Sequence, residues 1–361
     1  MLYILIAILM FGLLIALHEF GHFAAAKLCR VKVNEFAIGM GPLLVHRQVG
    51  ETEYSLRALP IGGFCAMEGE EEGASADPRA FPNRPWWQRL IILLAGVFMN
   101  FLTGLVIIFC LFAGAKSFAT TEITQVLPEA RAAQSLQAGD RILELDGHAI
   151  YLRPDISLFL SRVSEENVDM TVEREGRQLE LTVPLTAYTD EETGDQNWML
   201  GITLGGWEEA TLGVKLRNTW YQALDYARLV WVSLGDLVQG KVKLRDMSGV
   251  VEITHMMAQA GEQGAQEAIE NQQSPLLGAL RNILDLVAFI AVNLAVMNLL
   301  PIPALDGGQI FFMAVNGVLV ALRGKPLDPK YQGWVTAAGF ACLMALMLAV
   351  TVSDVFKLFG R

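Results

Sequence analysis

Cysteine and positive charge are both scarce in this 361-residue chain. Its four cysteines, Cys29, Cys65, Cys110 and Cys342, form no CxxC pair and no spacing that would build a disulfide framework, so free thiols are expected. The 27 lysines and arginines are outnumbered by 38 acidic residues, for a net charge of −11. That balance leaves no basic surface to track phosphates, and nucleic acid is not expected as a partner. Charged residues of either sign make up only 18% of the chain. Against them stand 53% hydrophobic residues and a mean hydropathy of +0.39, which is too apolar for an ordinary soluble domain and too charged in places to lie wholly in a membrane.

Four apolar runs reach roughly the 20 helical residues needed to cross about 30 Å of hydrocarbon. They are Leu2 to Leu17 continuing into a polar cluster, Leu90 to Ala115, Leu286 to Leu305, and Tyr331 to Ser353. No basic stretch precedes the first run, so it reads as a span and not as a signal peptide. Basic residues crowd the connection between the first two spans, among them Lys27, Arg30, Lys32, Arg84 and Arg89, and cytoplasmic loops carry such an excess. Four crossings then place both termini and residues 116–281 outside, with 306–330 inside. The outer segment holds 14 basic and 25 acidic residues, which is the whole net charge, and no cysteine.

Within that segment, Glu122 to Leu127 and Arg141 to Leu145 read as strands, and Ile156 to Val163 as a short helix. Val168 to Arg174 and Gln178 to Val183 read as a hairpin closed at Glu175-Gly176. The strings Val126 to Ala130 and Leu136 to Leu143, followed by Asp146-Gly147, resemble a bacterial PDZ domain, a fold with an edge that accepts an extended peptide. A Gly-Asp-rich linker is expected at 189–206. Beyond it, apolar residues from Leu216 to Val238 recur at helical spacing, interrupted by Lys215, Arg217, Asp225, Arg228 and Asp236. That predicts an amphipathic helix on the outer membrane surface or packed on the PDZ-like domain, not a fifth span.

The chemistry gathers at two span ends. On a helix, His18 and His22 project from one face and can share a metal ion, and Glu19 lies beside them where it can take a proton from water. Ionisable side chains at the end of an apolar span are costly and call for a partner. The string Asn298 to Gly308 supplies one: Pro301 and Pro303 break the helix, and Asp306 offers a carboxylate beyond the break. At about 1.5 Å per residue, His18 lies roughly 25 Å along the first span and Asp306 a little over 30 Å along the third, so both reach a similar depth. Two histidines and one aspartate, with a fourth position left for water, match a catalytic zinc site.

HEFGH in the first span, NLLPIPALDGG closing the third, and a PDZ-like insertion between the second and third resemble the site-2 protease family of intramembrane zinc metalloproteases. The likeness is to its bacterial RseP-type branch, here with a single PDZ domain. It implies His18, His22 and Asp306 as zinc ligands and Glu19 as general base. It further implies that Asn293 and Asn298 engage the substrate backbone and that Pro301 and Pro303 form the family's helix break. Residues Phe36 to Met67, with Gly39-Met40-Gly41-Pro42 and Pro60 to Phe64, resemble the family's membrane-associated β-loop. Leu43 to Gln48 and Tyr54 to Leu59 alternate well enough for a hairpin whose edge could pair with an unwound substrate. Two strings depart from the family pattern: Ser248 to Ile253 has Val250 and Glu252 at its usual proline and glycine, and Gly96 is followed by Val97 where many members have proline.

The expected architecture is therefore a polytopic α-helical membrane protein with four transmembrane helices, a membrane-associated β-hairpin loop and an inserted extracytoplasmic PDZ-like α+β domain. Its divisions are helix 1 at 1–28, the β-loop at 29–89, helix 2 at 90–115, the PDZ-like domain at 119–188, a connector at 189–281, helix 3 at 283–305, a cytoplasmic loop carrying Asp306 at 306–330, and helix 4 at 331–356. The resemblance implies a bacterial cytoplasmic-membrane enzyme that cleaves single-span proteins already shortened by another protease, such as anti-sigma factors or remnant signal peptides, with the PDZ-like domain as a size filter. A zinc transporter would have no need of Glu19 beside the ligands, and a silent PDZ scaffold would leave the HExxH string and Asp306 without a purpose. His46, His148 and His255 read as surface histidines, Asp285 as an interface marker, and Glu68 to Glu72 as a solvated acidic loop.

Overall fold

The computed structural model describes residues 2–70, 75–189, 196–241 and 249–359. The chain begins with helix α1 (Leu2–Leu28), strands β1 (Val33–Val49) and β2 (Thr52–Met67), and helix α2 (Trp86–Phe112). Eight strands and one helix follow: β3 (Ser117–Ala119), β4 (Ile123–Val126), β5 (Arg141–Leu145), β6 (His148–Ala149), α3 (Arg153–Leu160), β7 (Asn167–Arg174), β8 (Arg177–Pro184), β9 (Thr186–Thr189) and β10 (Gln196–Met199). Then come β11 (Ile202–Leu204), β12 (Trp207–Glu209), α4 (Leu212–Val238), α5 (Val250–Glu270), α6 (Pro275–Asn298), α7 (Asp306–Arg323) and α8 (Pro329–Phe359). Two compact units result, one of residues 1–111 with 226–361, the other of 112–225.

Among the described residues of the first unit, four helices are long and apolar enough to cross a membrane: Ile4–Leu28, Trp86–Phe112, Pro275–Asn298 and Lys330–Asp354. The buried face of α1 runs Ala7, Leu14, His18, His22 and Ala26, steps of four and seven that keep one stripe inward. Leu5, Leu9, Leu13 and Phe20 are exposed on the other side, as a lipid-facing surface requires. Small residues let the helices approach. A Cβ on Gly104 of α2 would stand 2.7 Å from a Val292 methyl of α6, and one on Gly264 of α5 would stand 2.3 Å from the carbonyl oxygen of Gly278.

The β-loop is longer than its alternation predicted. Both strands bend back on themselves, so that Phe36 pairs with Cys65 on one side and with Tyr54 on the other, while Arg47 pairs with Tyr54 as well. The bends fall at Gly39, Gly41 and Gly62, whose φ angles of +85°, +82° and +89° suit residues without a Cβ. Val33, Phe36, Cys65 and Met67 pack with Ala25, Ala26, Ile92 and Leu93 in one core. Leu43, Leu44, Val45, Val49 and Leu59 are exposed apolar side chains.

Helix α2 starts four residues and ends three residues before the expected 90–115, and two further divisions differ more. The third spanning helix covers Pro275–Asn298, not 283–305: Pro275 suits a first turn whose N–H groups are unpaired anyway, and Pro301 stops the helix at its other end. The connection expected as a loop at 306–330 holds helix α7, which ends at Gly324 with φ +70°. Its start is compact because Gly307 and Gly308 lie against the backbone of Leu299 to Pro303, where any Cβ would clash.

The second unit is built on an antiparallel sheet of order β6-β5-β7-β8. Its β7–β8 hairpin closes at Glu175 and Gly176, and the β5–β6 turn at Asp146 and Gly147; all four residues have positive φ, as primed two-residue turns demand. Val168, Met170 and Val172 alternate inward along β7. Fully buried Asp140 is held by Arg174 at 2.7 and 2.8 Å and accepts the Gln137 N–H. The expected linker at 189–206 instead contributes strands: β10 pairs with β9, and β11 returns to β4. Residues 190–195 of that stretch lie outside the described residues, and β11's partner lies too far back in the chain for local pattern to find. The predicted helix over 216–238 is the body of α4, while Ser248 of the 248–253 string lies outside the described residues.

Overpacking the α5–α6 crossing should cost about 1–3 kcal/mol. Gly264→Val is expected to lower the thermal midpoint of the detergent-solubilised protein clearly, whereas Gly317→Val, where no atom lies within 4 Å of the new Cβ, should leave it nearly unchanged.

Candidate active site

The HExxH string sits in the second half of α1, where helical geometry turns both imidazoles toward the helix break after α6. His18 Nε2 and His22 Nε2 are 3.1 Å apart. Asp306 Oδ2 lies 3.3 Å from the first and 3.4 Å from the second. Both histidines are buried. Asp306 Oδ2 is buried too, and apart from these imidazoles it meets no partner. Ligands held at about 2.0–2.1 Å from a tetrahedral ion stand roughly 3.3 Å from one another, so the three atoms already have the mutual spacing of a metal-binding set. Among the described residues, this is the one cluster of three or more potential metal-ligating side chains.

Three elements hold this arrangement. The helix break carries Asp306 to the first turn of α7, with Leu305 at the N-cap and Ala304 at φ +89°. From α2, the carbonyl of Ile92 accepts the Nδ1–H of His22 at 2.8 Å, and the amide of buried Asn100 lies against His18 Nδ1. Between these two contacts, Gly96 leaves room for the rings: a Cβ there would stand 2.4 Å from His22 Nε2 and 2.8 Å from His18 Cε1. From β2, the backbone N–H of Cys65 donates to Glu19 Oε2 at 3.1 Å. Glu19 is thereby fixed beside the cluster by an edge of the β-loop.

A cavity of about 830 Å³ opens onto the cluster, and its lining includes Glu19, Phe64, Asn298, Asp306 and Gln309. Of the two asparagines singled out in the sequence, Asn298 reaches the site, with its amide nitrogen 3.4 Å from His18 Nε2. Asn293 does not line the cavity, and its side-chain oxygen is buried without a hydrogen bond. Pro301 and Pro303 occupy the break, and a Cβ at Gly339 of α8 would run into Pro303.

The stretch expected as a solvated acidic loop is different in kind. Glu68 accepts hydrogen bonds from Lys32, Asn34 and Ser75, and the Lys32 contact leads the causes that bring its carboxyl down to about 2. Glu70 lines the cavity, and burial pushes its carboxyl up to about 7, against the opposing influence of His22 and Gln309. Glu71 and Glu72 lie outside the described residues. His46 and His148 are exposed as expected, paired with Glu53 and with the Asp146 carbonyl, and Asp285 accepts a hydrogen bond from Tyr226. Sequence reading missed Asn100 and Glu70. A lone amide inside an otherwise uncharged, apolar span was the available signal for the first; the second had none, because its acidic neighbours suggested solvent.

Comparison with known proteins agrees with this geometry. The profile of peptidase family M50 matches residues 6–346. A relative from Clostridium acetobutylicum, assigned to the zinc metalloproteases, is 35% identical over 98% of this chain and 97% of its own. The regulator of sigma-W protease RasP of Bacillus subtilis is 28% identical over 98% of each chain, and the zinc metalloprotease RasP of Geobacillus kaustophilus is 27% identical over 98% of this chain and 97% of its own. PDZ domains of SdrC-like proteins from Listeria innocua and Listeria monocytogenes match about a quarter of this chain, at 21% and 25% identity and a TM-score of 0.21 each, covering 99% and 88% of those structures. The fold and site define a multi-pass membrane metalloprotease. The chain belongs to peptidase family M50, the site-2 protease family.

Two outcomes follow from this geometry. Gly96→Ala should abolish stoichiometric metal loading, measured by elemental analysis of the purified protein, whereas Gly114→Ala, which meets nothing within 4 Å, should load normally. Glu70 has a folded-state pKa of about 7, above its ordinary 4.5, so its ionisation opposes the fold increasingly as pH rises between those values. In metal-free protein, Glu70→Gln should therefore raise the thermal midpoint at pH 8 and have little effect below pH 4.5.

Proposed function

We propose that this enzyme hydrolyses peptide bonds within transmembrane segments of single-span proteins, using zinc held by His18, His22 and Asp306. The observation that carries the reading is the convergence of these three side chains at the end of a membrane helix, with Glu19 fixed beside them. The donor set suits zinc: two imidazole nitrogens and one carboxylate oxygen leave a fourth position open. When bound, zinc supplies Lewis acidity and lowers the pKa of a coordinated water.

The chain's own residues do the rest. Glu19 accepts a proton from the attacking water and delivers it to the leaving nitrogen as the peptide bond breaks. The Cys65 N–H orients that carboxylate. A substrate helix hides its carbonyls in intrahelical hydrogen bonds, so cleavage requires local unwinding, and freed backbone groups in a dry setting must find new partners. The β2 edge at Phe64 to Ala66 and the amide of Asn298 border the cavity and serve as those partners. We assign Asn293, which lies outside the cavity lining, a substrate-binding task on the family resemblance alone, and Pro301 and Pro303 the task of keeping the break open.

The basic connection between α1 and α2 supports a cytoplasmic site in a bacterial plasma membrane, with the second unit outside. Its Gly-Asp turn and four-stranded sheet support a PDZ-like domain that binds peptide or limits the ectodomain size of substrates, such as anti-sigma factors or remnant signal peptides, after a first cleavage. Co-expression with a reporter bearing one transmembrane helix and a short ectodomain tests the reading. The wild type should cleave it, and Glu19→Gln should reduce cleavage by about 10²–10⁴-fold with metal retained. Equal cleavage by both would sink the proposal.

A further inference from the structure

Resting on the zinc reading above, we propose that Asn100 of α2 is the positioning residue for His18, accepting its Nδ1–H through Oδ1 so that Nε2 faces the metal unprotonated. His22 sets the pattern. Its Nδ1–H donates to the Ile92 carbonyl, which fixes the tautomer and leaves Nε2 to point at Asp306. For His18 to ligate through Nε2 as well, its Nδ1 must carry the proton and needs an acceptor. The group against it is the Asn100 side chain, whose Nδ2 stands 3.2 Å from His18 Nδ1 while Oδ1 is buried with no hydrogen bond. Two donors facing one another and an orphaned acceptor on the same amide share one resolution. A half-turn of the amide exchanges oxygen and nitrogen, brings Oδ1 onto the Nδ1–H, and satisfies the buried acceptor.

The surroundings leave little else to do this. Asn100 is only 1% exposed, and it lies one turn beyond Gly96, the residue whose missing side chain admits both rings. Helix α2 therefore supplies both outer-ring contacts of the histidine pair, a backbone carbonyl for one and a side-chain amide for the other. Losing such a contact costs about 10–100-fold in metal affinity.

Chelator competition on the purified full-length protein in detergent measures this directly, with zinc alone as the probe. Asn100→Leu, of similar volume but with no acceptor, should bind zinc about 10–100-fold more weakly than wild type while keeping its helical circular dichroism. Asn100→Asp, which keeps an acceptor at the same place, should bind within a few-fold of wild type, and its cobalt derivative should show an unchanged visible spectrum. A Leu variant that binds zinc as tightly as wild type overturns the inference and leaves the proteolytic reading standing. If the Leu variant does not fold, the Asp variant decides: tenfold weaker binding there overturns it, and retained affinity supports it. Wild-type protein that binds no zinc would overturn both readings.

Discussion

Two imidazoles near the end of an apolar helix can stay there only if both nitrogens of each ring find partners, because the membrane interior offers none. The rest of the first unit follows from that requirement. One nitrogen of each ring turns to α2, and the other turns to Asp306 across a helix break. The break needs Pro301 to end α6, a strained turn at Ala304, and two glycines to let α7 begin against the backbone it has just left. Gly96 is the counterpart on α2, an absence of side chain where the rings need space.

The β-loop plays a part that a simple membrane-associated hairpin would not require. By doubling back at three glycines it becomes compact at its base, where it packs with α1 and α2, and it brings the Cys65 N–H to Glu19. The same edge borders the cavity that opens onto the cluster. Glu68 and Glu70, continuing from that strand, are drawn into hydrogen bonds and the cavity lining.

Local pattern carried far where physics is local. Apolar runs located the four spanning helices, although proline placement shifted one by eight residues at its start. The turns at Asp146-Gly147 and Glu175-Gly176 were legible because positive φ at consecutive residues restricts what can stand there. The pairing of β11 with β4 and the doubled register of the β-loop were not legible, since nothing in a strand's own alternation names a partner dozens of residues away.

The sequence by itself determined the chemistry. Four-residue spacing puts His18 and His22 on one helix face, and a proline break followed by Asp306 announces a carboxylate that needs a partner. Only the tertiary structure decided what supports that chemistry. The contact of Asn100 with His18 joins positions 82 residues apart, and that of Cys65 with Glu19 joins positions 46 apart. An asparagine in an apolar helix and a backbone N–H in a strand carry no local mark of their target. Their roles arise when packing removes water and leaves each polar group the neighbour that the fold has brought to it.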